Sequence, residues 1–254
     1  MCTVTIVPID RQAARSNAGG TVRLACNRDE LRSRPAALPP QVHRLGMRTA
    51  IMPIDPVSGG TWIGVNDAGL VATVLNVNRD VLNGGGRGVR SRGLLVPRLM
   101  ACSTIDDAQS AAGEFTPEDY PPFRLVLIDA VHLVEVFSDG RALRRERRSL
   151  GDRPLLFTSS GLGDARVEGP RRELFEQMFT RDADWTSQQF RFHRHAWPDR
   201  AHLSVCMQRE AARTVSHTVI DLAADRAVLT YVPDAPDRAQ PLAPLSLDLS
   251  WKTS

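Results

Sequence analysis

Lysine is almost absent from this chain of 254 residues: Lys252 is its single lysine, so 31 of the 32 cationic residues are arginine. The formal net charge is nevertheless only +3, which is too small to indicate a nucleic-acid or anionic-membrane partner. The sequence has no uncharged run of 18 residues, so we expect no transmembrane segment. It also lacks a basic N-terminal segment followed by an apolar core, so we expect no export signal and a cytoplasmic protein.

Cysteine is scarce, and the four residues Cys2, Cys26, Cys102 and Cys206 are widely separated. No Cys-x-x-Cys pair exists, which argues against a zinc site or a redox dithiol. Without an export signal, a disulfide framework is not expected either. His193 and His195 have no apparent third ligand, so we predict no metal and no cofactor. Three of the cysteines fit small buried hydrophobic positions, whereas Cys2 is unusual because a single residue precedes it.

Ordinary contents of hydrophobic (42%) and charged (24%) residues predict a globular protein, which we treat as one domain over residues 1–254. Alternation and β-branched content predict strands, and hairpin turns separate many of them. The predicted strands are Cys2–Pro8, Thr21–Cys26, Thr61–Val65, Leu70–Leu75, Phe123–Asp129, Leu133–Ser138, Ala142–Arg148, Leu155–Ser159, Thr214–Leu222, Ala227–Val232 and Leu245–Trp251. Helices are predicted at Arg90–Ala101, after Thr104, at Pro170–Thr180 and within 181–202.

The proline-rich residues 31–58 are predicted as a loop with one short strand near Ala50–Ile54, and Asn17–Gly20 and Asn83–Gly86 as turn and loop. Strand-rich runs joined by hairpins, with helices grouped between them, favour antiparallel sheets. The fold class predicted from this order is α+β.

Cys2 has the chemistry of a nucleophile once Met1 is removed, which a small second residue usually permits. The exposed cysteine then carries a thiol with an ordinary pKa of about 8.5 and an α-amine with an ordinary pKa of about 7.7–8.0. The amine can accept the thiol proton directly or through water, so one residue supplies both nucleophile and general base. A cysteine at this position that has no role is the alternative interpretation.

The segment Asn27–Glu30 is expected beside Cys2, because the far end of the second strand of a tight hairpin lies next to the start of the first. A carboxylate there could hold the α-amine, and an arginine could favour the thiolate by its charge. The alternative is that these four residues form a polar turn.

Four motifs in the same order resemble the NRDE family, also called the transport and Golgi organisation 2 family. They are Met1-Cys2-Thr3, Asn27-Arg28-Asp29-Glu30 with Arg34-Pro35, Gly59–Asn66 with Leu75–Asn78, and Ser91–Leu94. The resemblance is dense over residues 1–100 and looser beyond. It implies the fold of the N-terminal nucleophile (Ntn) hydrolases, an αββα sandwich of two antiparallel sheets between helix layers.

A more distant likeness to choloylglycine hydrolases and penicillin acylases implies roles for individual residues. Cys2 would be the nucleophile, Asp29 would hold its amine, and Asn76 would stabilise the oxyanion. Arg28 and a late arginine, Arg209 or alternatively Arg213, would complete the catalytic set. Cys26 stands where those enzymes have an early arginine, and Ser160 where they have a later asparagine. The implied substrate-binding residues are Asn27, Trp62, Asn66, Ser160 and Arg213.

The function implied by these resemblances is hydrolysis of a non-peptide C–N amide bond in a small molecule. The alternative implied by the same family is a non-catalytic protein that binds or carries an apolar ligand such as haem or a lipid. A processed N-terminus and loss of activity in Cys2→Ala would distinguish the first function from the second. The sequence does not define the oligomeric state.

Overall fold

The computed structural model describes residues 2–9, 20–78 and 89–250. Within them, one sheet has six strands in the order β10-β1-β2-β11-β12-β13. Its strands are β1 (Cys2–Pro8), β2 (Val22–Leu31), β10 (Leu155–Thr158), β11 (Ala212–Leu222), β12 (Arg226–Val232) and β13 (Leu245–Asp248). All five pairings are antiparallel. We call this the first sheet.

The second sheet has seven strands in sequence order from β3 to β9, again all antiparallel within the described residues. Its strands are β3 (Leu38–Leu45), β4 (Arg48–Ile54), β5 (Ile63–Asn66), β6 (Val71–Asn76), β7 (Phe123–Ile128), β8 (His132–Ser138) and β9 (Leu143–Ser149). Two pairs of strands that the sequence predicts as neighbours form hairpins, across Asn66–Gly69 and across Ala224-Asp225.

Helices cover the outer faces of both sheets. α1 (Leu95–Leu99) and α2 (Ile105–Gly113) pack against the second sheet, whereas α3 (Asp164–Met178) and α4 (Trp185–Arg194) pack against the first. Thr104 caps α2 as predicted, because its Oγ1 accepts a hydrogen bond of 3.0 Å from the Asp107 backbone N–H. These layers confirm the predicted αββα sandwich of the α+β class.

Both faces of the first sheet are buried, which explains why every residue of β1 is buried. Val4 and Ile6 join the main apolar core between the sheets. Val7 packs on the other face in a smaller cluster with Phe175 of α3 and Phe192 of α4. The side chains of β1 therefore alternate between the inter-sheet core and the helix layer, as the two-residue period of a strand requires.

The largest correction concerns residues 31–58, where the structure has the complete hairpin β3–β4 and not a loop with one short strand. Pro39 and Pro40 lie in β3, which is the edge strand of the second sheet. An edge strand tolerates proline because its outer row of N–H groups needs no partner. Most of β3 is exposed, so it lacks the apolar alternation that would have predicted it.

The start of α3 was also predicted wrongly. The helix begins at Asp164, six residues before Pro170, which lies inside it and not in its first turn. Its N-cap is Gly163, at φ +98°, where no side-chain cap is available to reveal the start in the sequence. The predicted turn at 17–20, except Gly20, and the loop at Asn83–Gly86 lie outside the described residues, as does Trp251.

No helix among the described residues is both long and apolar enough to cross a bilayer.

Candidate active site

Cys2 lies at the first position of β1, directly opposite Arg28 of β2, and Thr3 lies opposite Asn27. This register confirms that Asn27–Glu30 lies beside Cys2. The segment is part of β2, however, and not the polar turn of the alternative interpretation. On the other side of β1, the Ser159 backbone N–H donates to the Cys2 carbonyl at 2.9 Å.

The two-residue period of β2 sends neighbouring residues of this segment to different faces. Cys26, Arg28 and Glu30 share the face of Cys2. Asn27 and Asp29 point to the opposite face, towards α4 and α3. Arg28 and Glu30 therefore face the space between the two sheets, whereas Asn27 and Asp29 face the helix layer.

A cavity of about 240 Å³ opens at the Cys2 end of the sheets. Its apolar side chains besides Cys2 are Trp62 and Val74, and the rest of its wall is mostly charged or polar. The side chains that set its chemistry are Cys2, Arg28, Glu30, Arg34, Asp55, Asn76 and Arg92. We call this space the Cys2 cavity.

The Cys2 thiol is hydrogen-bonded to the Cys26 thiol on the same face of the first sheet. This hydrogen bond is the main cause that lowers the pKa of Cys2, and it outweighs burial, which would raise it. The same bond and burial raise the pKa of Cys26 well above the ordinary value. Cys26 therefore stays a thiol that donates to Cys2, and the pair favours the thiolate on Cys2.

Arg28 is fixed in the cavity wall by two contacts. Its Nη2 donates to Asp55 Oδ2 at 2.5 Å, and its guanidinium carbon lies 4.4 Å from the centre of the Trp62 ring. Burial raises the pKa of Asp55, but the hydrogen bond from Arg34 and the charge of Arg28 hold it below the ordinary value. The carboxylate is thus ionised and shared by two arginines, which leaves Arg28 oriented but partly neutralised.

The nitrogen of Cys2 is oriented by a residue that the sequence did not single out. Cys2 N donates to Ser159 Oγ at 3.0 Å, at the end of β10. Asp29, which the resemblance assigned to this amine, is buried behind the cysteine, where Thr214 Oγ1 donates to its Oδ1 at 2.7 Å. Burial raises the pKa of Asp29, and the nearby Arg171 charge and the Thr214 hydrogen bond oppose that rise.

Arg171 of α3 is completely buried beneath this end of the first sheet. Its Nη1 donates to Thr3 Oγ1 and Thr158 Oγ1, both at 2.7 Å, and its Nη2 lies 4.0 Å from Asp29 Oδ2. Burial lowers the pKa of Arg171 to about 10. The helix layer thereby joins β1, β2 and β10 through one cation, so Arg171 holds the strand ends that carry the nucleophile.

Asn76 ends β6 and lines the Cys2 cavity, as does Trp62 just before β5. Among the described residues no hydrogen-bond partner occupies the Asn76 amide. Its donors therefore remain available to a molecule in the cavity.

Two of the predicted substrate-binding asparagines lie outside the cavity. Asn66 is fully buried, and its Nδ2 donates to the carbonyls of Met100 and Cys102 at 3.0 and 2.8 Å. Asn27 is likewise buried against the helix layer, where its Nδ2 donates to the carbonyls of His193 and Val205 at 2.8 and 3.0 Å. Both amides join elements of the fold and lie outside the wall of the Cys2 cavity.

The late residues divide into two places. Arg209 Nη2 donates to Ser160 Oγ at 2.8 Å. These two predicted residues therefore contact each other next to Ser159, and neither of them lines the Cys2 cavity. Arg213 is ion-paired with Asp234 and also lies outside that wall. The structure therefore places Ser160, Arg209 and Arg213 outside the wall of the Cys2 cavity.

Sequence reasoning missed Ser159, Arg92 and the role of Cys26. Ser159 stands next to Ser160, to which the resemblance had drawn attention. Arg92 lies in the Ser91–Leu94 motif, which had no assigned role. A signal for Cys26 was present, because it lies two residues before Arg28 in a strand and so shares that residue's face.

Two antiparallel sheets between helix layers, with a cysteine at the start of β1 opening into a cavity, define the fold class of the Ntn hydrolases. Three solved structures share this fold, namely penicillin V acylase from Agrobacterium tumefaciens, conjugated bile acid hydrolase from Clostridium perfringens and the Caenorhabditis elegans ortholog of N-acylethanolamine-hydrolyzing acid amidase. Their TM-scores are 0.52, 0.52 and 0.55 at 14, 13 and 10% identity.

The alignments cover 99, 98 and 98% of this chain and 87, 92 and 100% of the respective structures. At these identities the likeness is one of fold. The model of the family "Transport and Golgi organisation 2" matches residues 6–223, so the chain belongs to that family. No curated protein matches the sequence.

Proposed function

We propose that this protein is an Ntn amide hydrolase whose nucleophile is Cys2, exposed by removal of Met1, and that it cleaves a non-peptide C–N amide bond of a small molecule. The observation that carries the proposal is the position of Cys2: its thiol lines a polar cavity, while its nitrogen is hydrogen-bonded to Ser159. Nucleophile and base would then be held by the same strand end.

In the proposed reaction the α-amine takes the thiol proton as sulfur attacks the amide carbonyl carbon. The resulting ammonium gives this proton to the leaving nitrogen as the C–N bond breaks, which leaves a thioester on Cys2. Water, deprotonated by the same amine, then hydrolyses the thioester. The lowered pKa of Cys2 supports the first step, because Cys26 stabilises the thiolate.

Asn76 is the best candidate to stabilise the oxyanion, since it lines the same cavity as Cys2. One oxyanion donor typically contributes about 3–4 kcal/mol to the transition state. Arg28 is held by Asp55 and Trp62 and supports the thiolate by its charge. Asp29, Arg171 and Arg209 act behind the site by positioning.

The alternative, an apolar ligand carrier, has a separate supporting observation. A second cavity of about 440 Å³ lies at the opposite end of the sandwich, lined by apolar residues that include Leu70, Ile105, Val131, Leu222 and Leu249. We call it the far-end cavity. An apolar ligand suits its wall better than the charged wall of the Cys2 cavity, so carrying and catalysis would use different places.

The hydrolase proposal is tested by treating purified wild-type protein and Cys2→Ala with a panel of acylating probes that react with thiols. We expect one acyl group on the peptide that begins with Cys2, and no such group in the variant. Cys206→Ala is the matched control. Burial is the main cause that raises the pKa of Cys206 to about 12, so this thiol should not react and the variant should be labelled like wild type. Equal labelling of wild type and Cys2→Ala would contradict the proposal.

A further inference from the structure

The charges of the Cys2 cavity are unevenly paired. Asp55 accepts from Arg28 at 2.5 Å and from Arg34 at 2.8 and 3.1 Å. Glu30 adds contacts of 3.4 Å to Arg28 and 3.7 Å to Arg34. These two carboxylates and two arginines neutralise one another and leave Arg92 as the additional cation of the wall.

Arg92 has a different set of contacts. Its Nη1 donates to the Pro122 carbonyl at 2.9 Å, and no carboxylate in the described part of the chain lies within ion-pair distance of it. With Nη1 occupied, the Nε–Nη2 edge is left without an acceptor among the described residues. That edge has the two parallel donors that match a carboxylate.

The backbone of Arg92 is held rigidly against the cavity. Ser91 Oγ accepts from the Gly93 N–H at 3.2 Å at the start of a 3-10 turn, and the Thr61 N–H donates to the Gly93 carbonyl at 2.9 Å. Gly60 and Gly93 are in such close contact that a Cβ on Gly60 would lie 2.4 Å from the Gly93 carbonyl carbon. The backbone is thus held in place, and the hydrogen bond from Nη1 to Pro122 orients the guanidinium, which reduces the entropy cost of binding.

We propose that Arg92 is the specificity-determining residue of the Cys2 cavity and that it binds a carboxylate of the substrate. The substrate class is then a small amide that carries a free carboxylate, such as an N-acyl amino acid or the monoamide of a dicarboxylic acid. This inference rests on the proposed hydrolase function. A volume of about 240 Å³ fits a small molecule, and the charged wall suits an anionic substrate better than a purely apolar one.

The test compares hexanoylglycine and N-butylsuccinamic acid with their methyl esters, which lack the charge. For wild type we expect kcat/KM at least tenfold higher for one acid than for its ester, and Arg92→Gln should remove that preference. Arg92→Lys should retain part of it, because the charge remains without the bidentate edge. Arg90→Gln is the matched control, since Arg90 is exposed and pairs weakly with Asp119 at 3.6 Å.

The affinity of Cys2→Ala for the same four compounds can be measured by calorimetry, which does not depend on hydrolysis. We expect the preferred acid to bind at least tenfold more tightly than its ester, and this difference to disappear in Cys2→Ala/Arg92→Gln. If wild type hydrolyses none of the compounds but this binding difference is present, the hydrolase function fails and the role of Arg92 stands. If acids and esters bind equally, or the difference survives Arg92→Gln in a folded protein, the Arg92 proposal is overturned.

Discussion

The two ends of the sandwich carry cavities of opposite character, although the same strand connects them. Leu70, just before β6, lines the far-end cavity, and Asn76, at the end of β6, lines the Cys2 cavity. The far-end cavity has a largely apolar wall. Its polar side chains contact one another: Arg147 is ion-paired with Asp106, and His132 Nδ1 lies 3.4 Å from Asp129 Oδ2. The Cys2 cavity contains a thiol with a lowered pKa and an additional cation.

The two cavities differ because different elements of the fold form the two ends. The far end is closed by hairpin turns such as Ala68-Gly69 and by the start of α2, and apolar side chains make up most of its wall. The Cys2 end is made by the first residue of β1 and by the charged end of β2. A reactive group there is surrounded by the side chains that can adjust its pKa and bind its substrate.

The largest expected effect is the loss of all amide hydrolysis in Cys2→Ala, because the nucleophile and its amine belong to this residue. The comparison of the two ends predicts that Arg147→Gln, at the far end, leaves kcat/KM within about twofold of wild type. Steady-state hydrolysis of the best substrate checks both variants. Equal loss in both would show that the two ends are not functionally separate.

Arg171→Met should lower the free energy of unfolding by about 3–5 kcal/mol, because it removes a buried cation close to Asp29 together with its hydrogen bonds to Thr3 and Thr158. The neighbouring Arg172 is the matched control. It is exposed and pairs only with Glu168 at 3.0 Å, so Arg172→Met should cost about 0–1 kcal/mol. Urea denaturation measures both. A small effect for Arg171→Met would mean that the Cys2 end does not depend on this cation.

Asn76→Ala should lower kcat by about 10²–10³-fold with little change in stability, because the amide would act only in the transition state. Asn66→Ala should lower the stability and leave kcat nearly unchanged. Asn66 lies towards the far end of the sandwich, and its amide joins elements of the fold. Paired kinetics and thermal unfolding separate the two. Normal kcat in Asn76→Ala would remove this residue from the catalytic set.

Cys26→Ala should raise the pKa of the Cys2 thiol, because the hydrogen bond that lowers it is lost. The thiolate is the reactive form, so the rising limb of the pH–rate profile should move to higher pH. At neutral pH the rate should fall by up to about tenfold, and it should recover in more alkaline buffer. An unshifted profile in a folded variant would contradict this role for Cys26.

Much of the fold could be predicted from local patterns. The β1–β2 pairing follows from two alternating segments, and it alone placed Asn27–Glu30 beside Cys2. The edge strand β3 was missed because it is mostly exposed and contains prolines, so it carries no burial pattern. The start of α3 was missed because Gly163 supplies no capping side chain.

The site was less predictable because strand faces and distant contacts decide it. With Asn27–Glu30 treated as one group, the sequence could not separate Arg28, on the cavity face, from Asn27 and Asp29, on the helix face. Ser159 and Arg171 meet β1 from more than 150 residues away in the chain, and no local pattern encodes such a contact. The position of Arg92 depends on the close approach of Gly60 and Gly93, which is equally non-local.

The proposed mechanism requires a free N-terminal Cys2 as the nucleophile. Its most direct test is intact mass spectrometry, with peptide mapping, of the protein quenched during turnover of an amide substrate. We predict a chain that lacks Met1 and carries one acyl group, as a thioester, on Cys2. A protein that turns over the amide while retaining Met1, or that carries its acyl group on another residue, would rule out this mechanism.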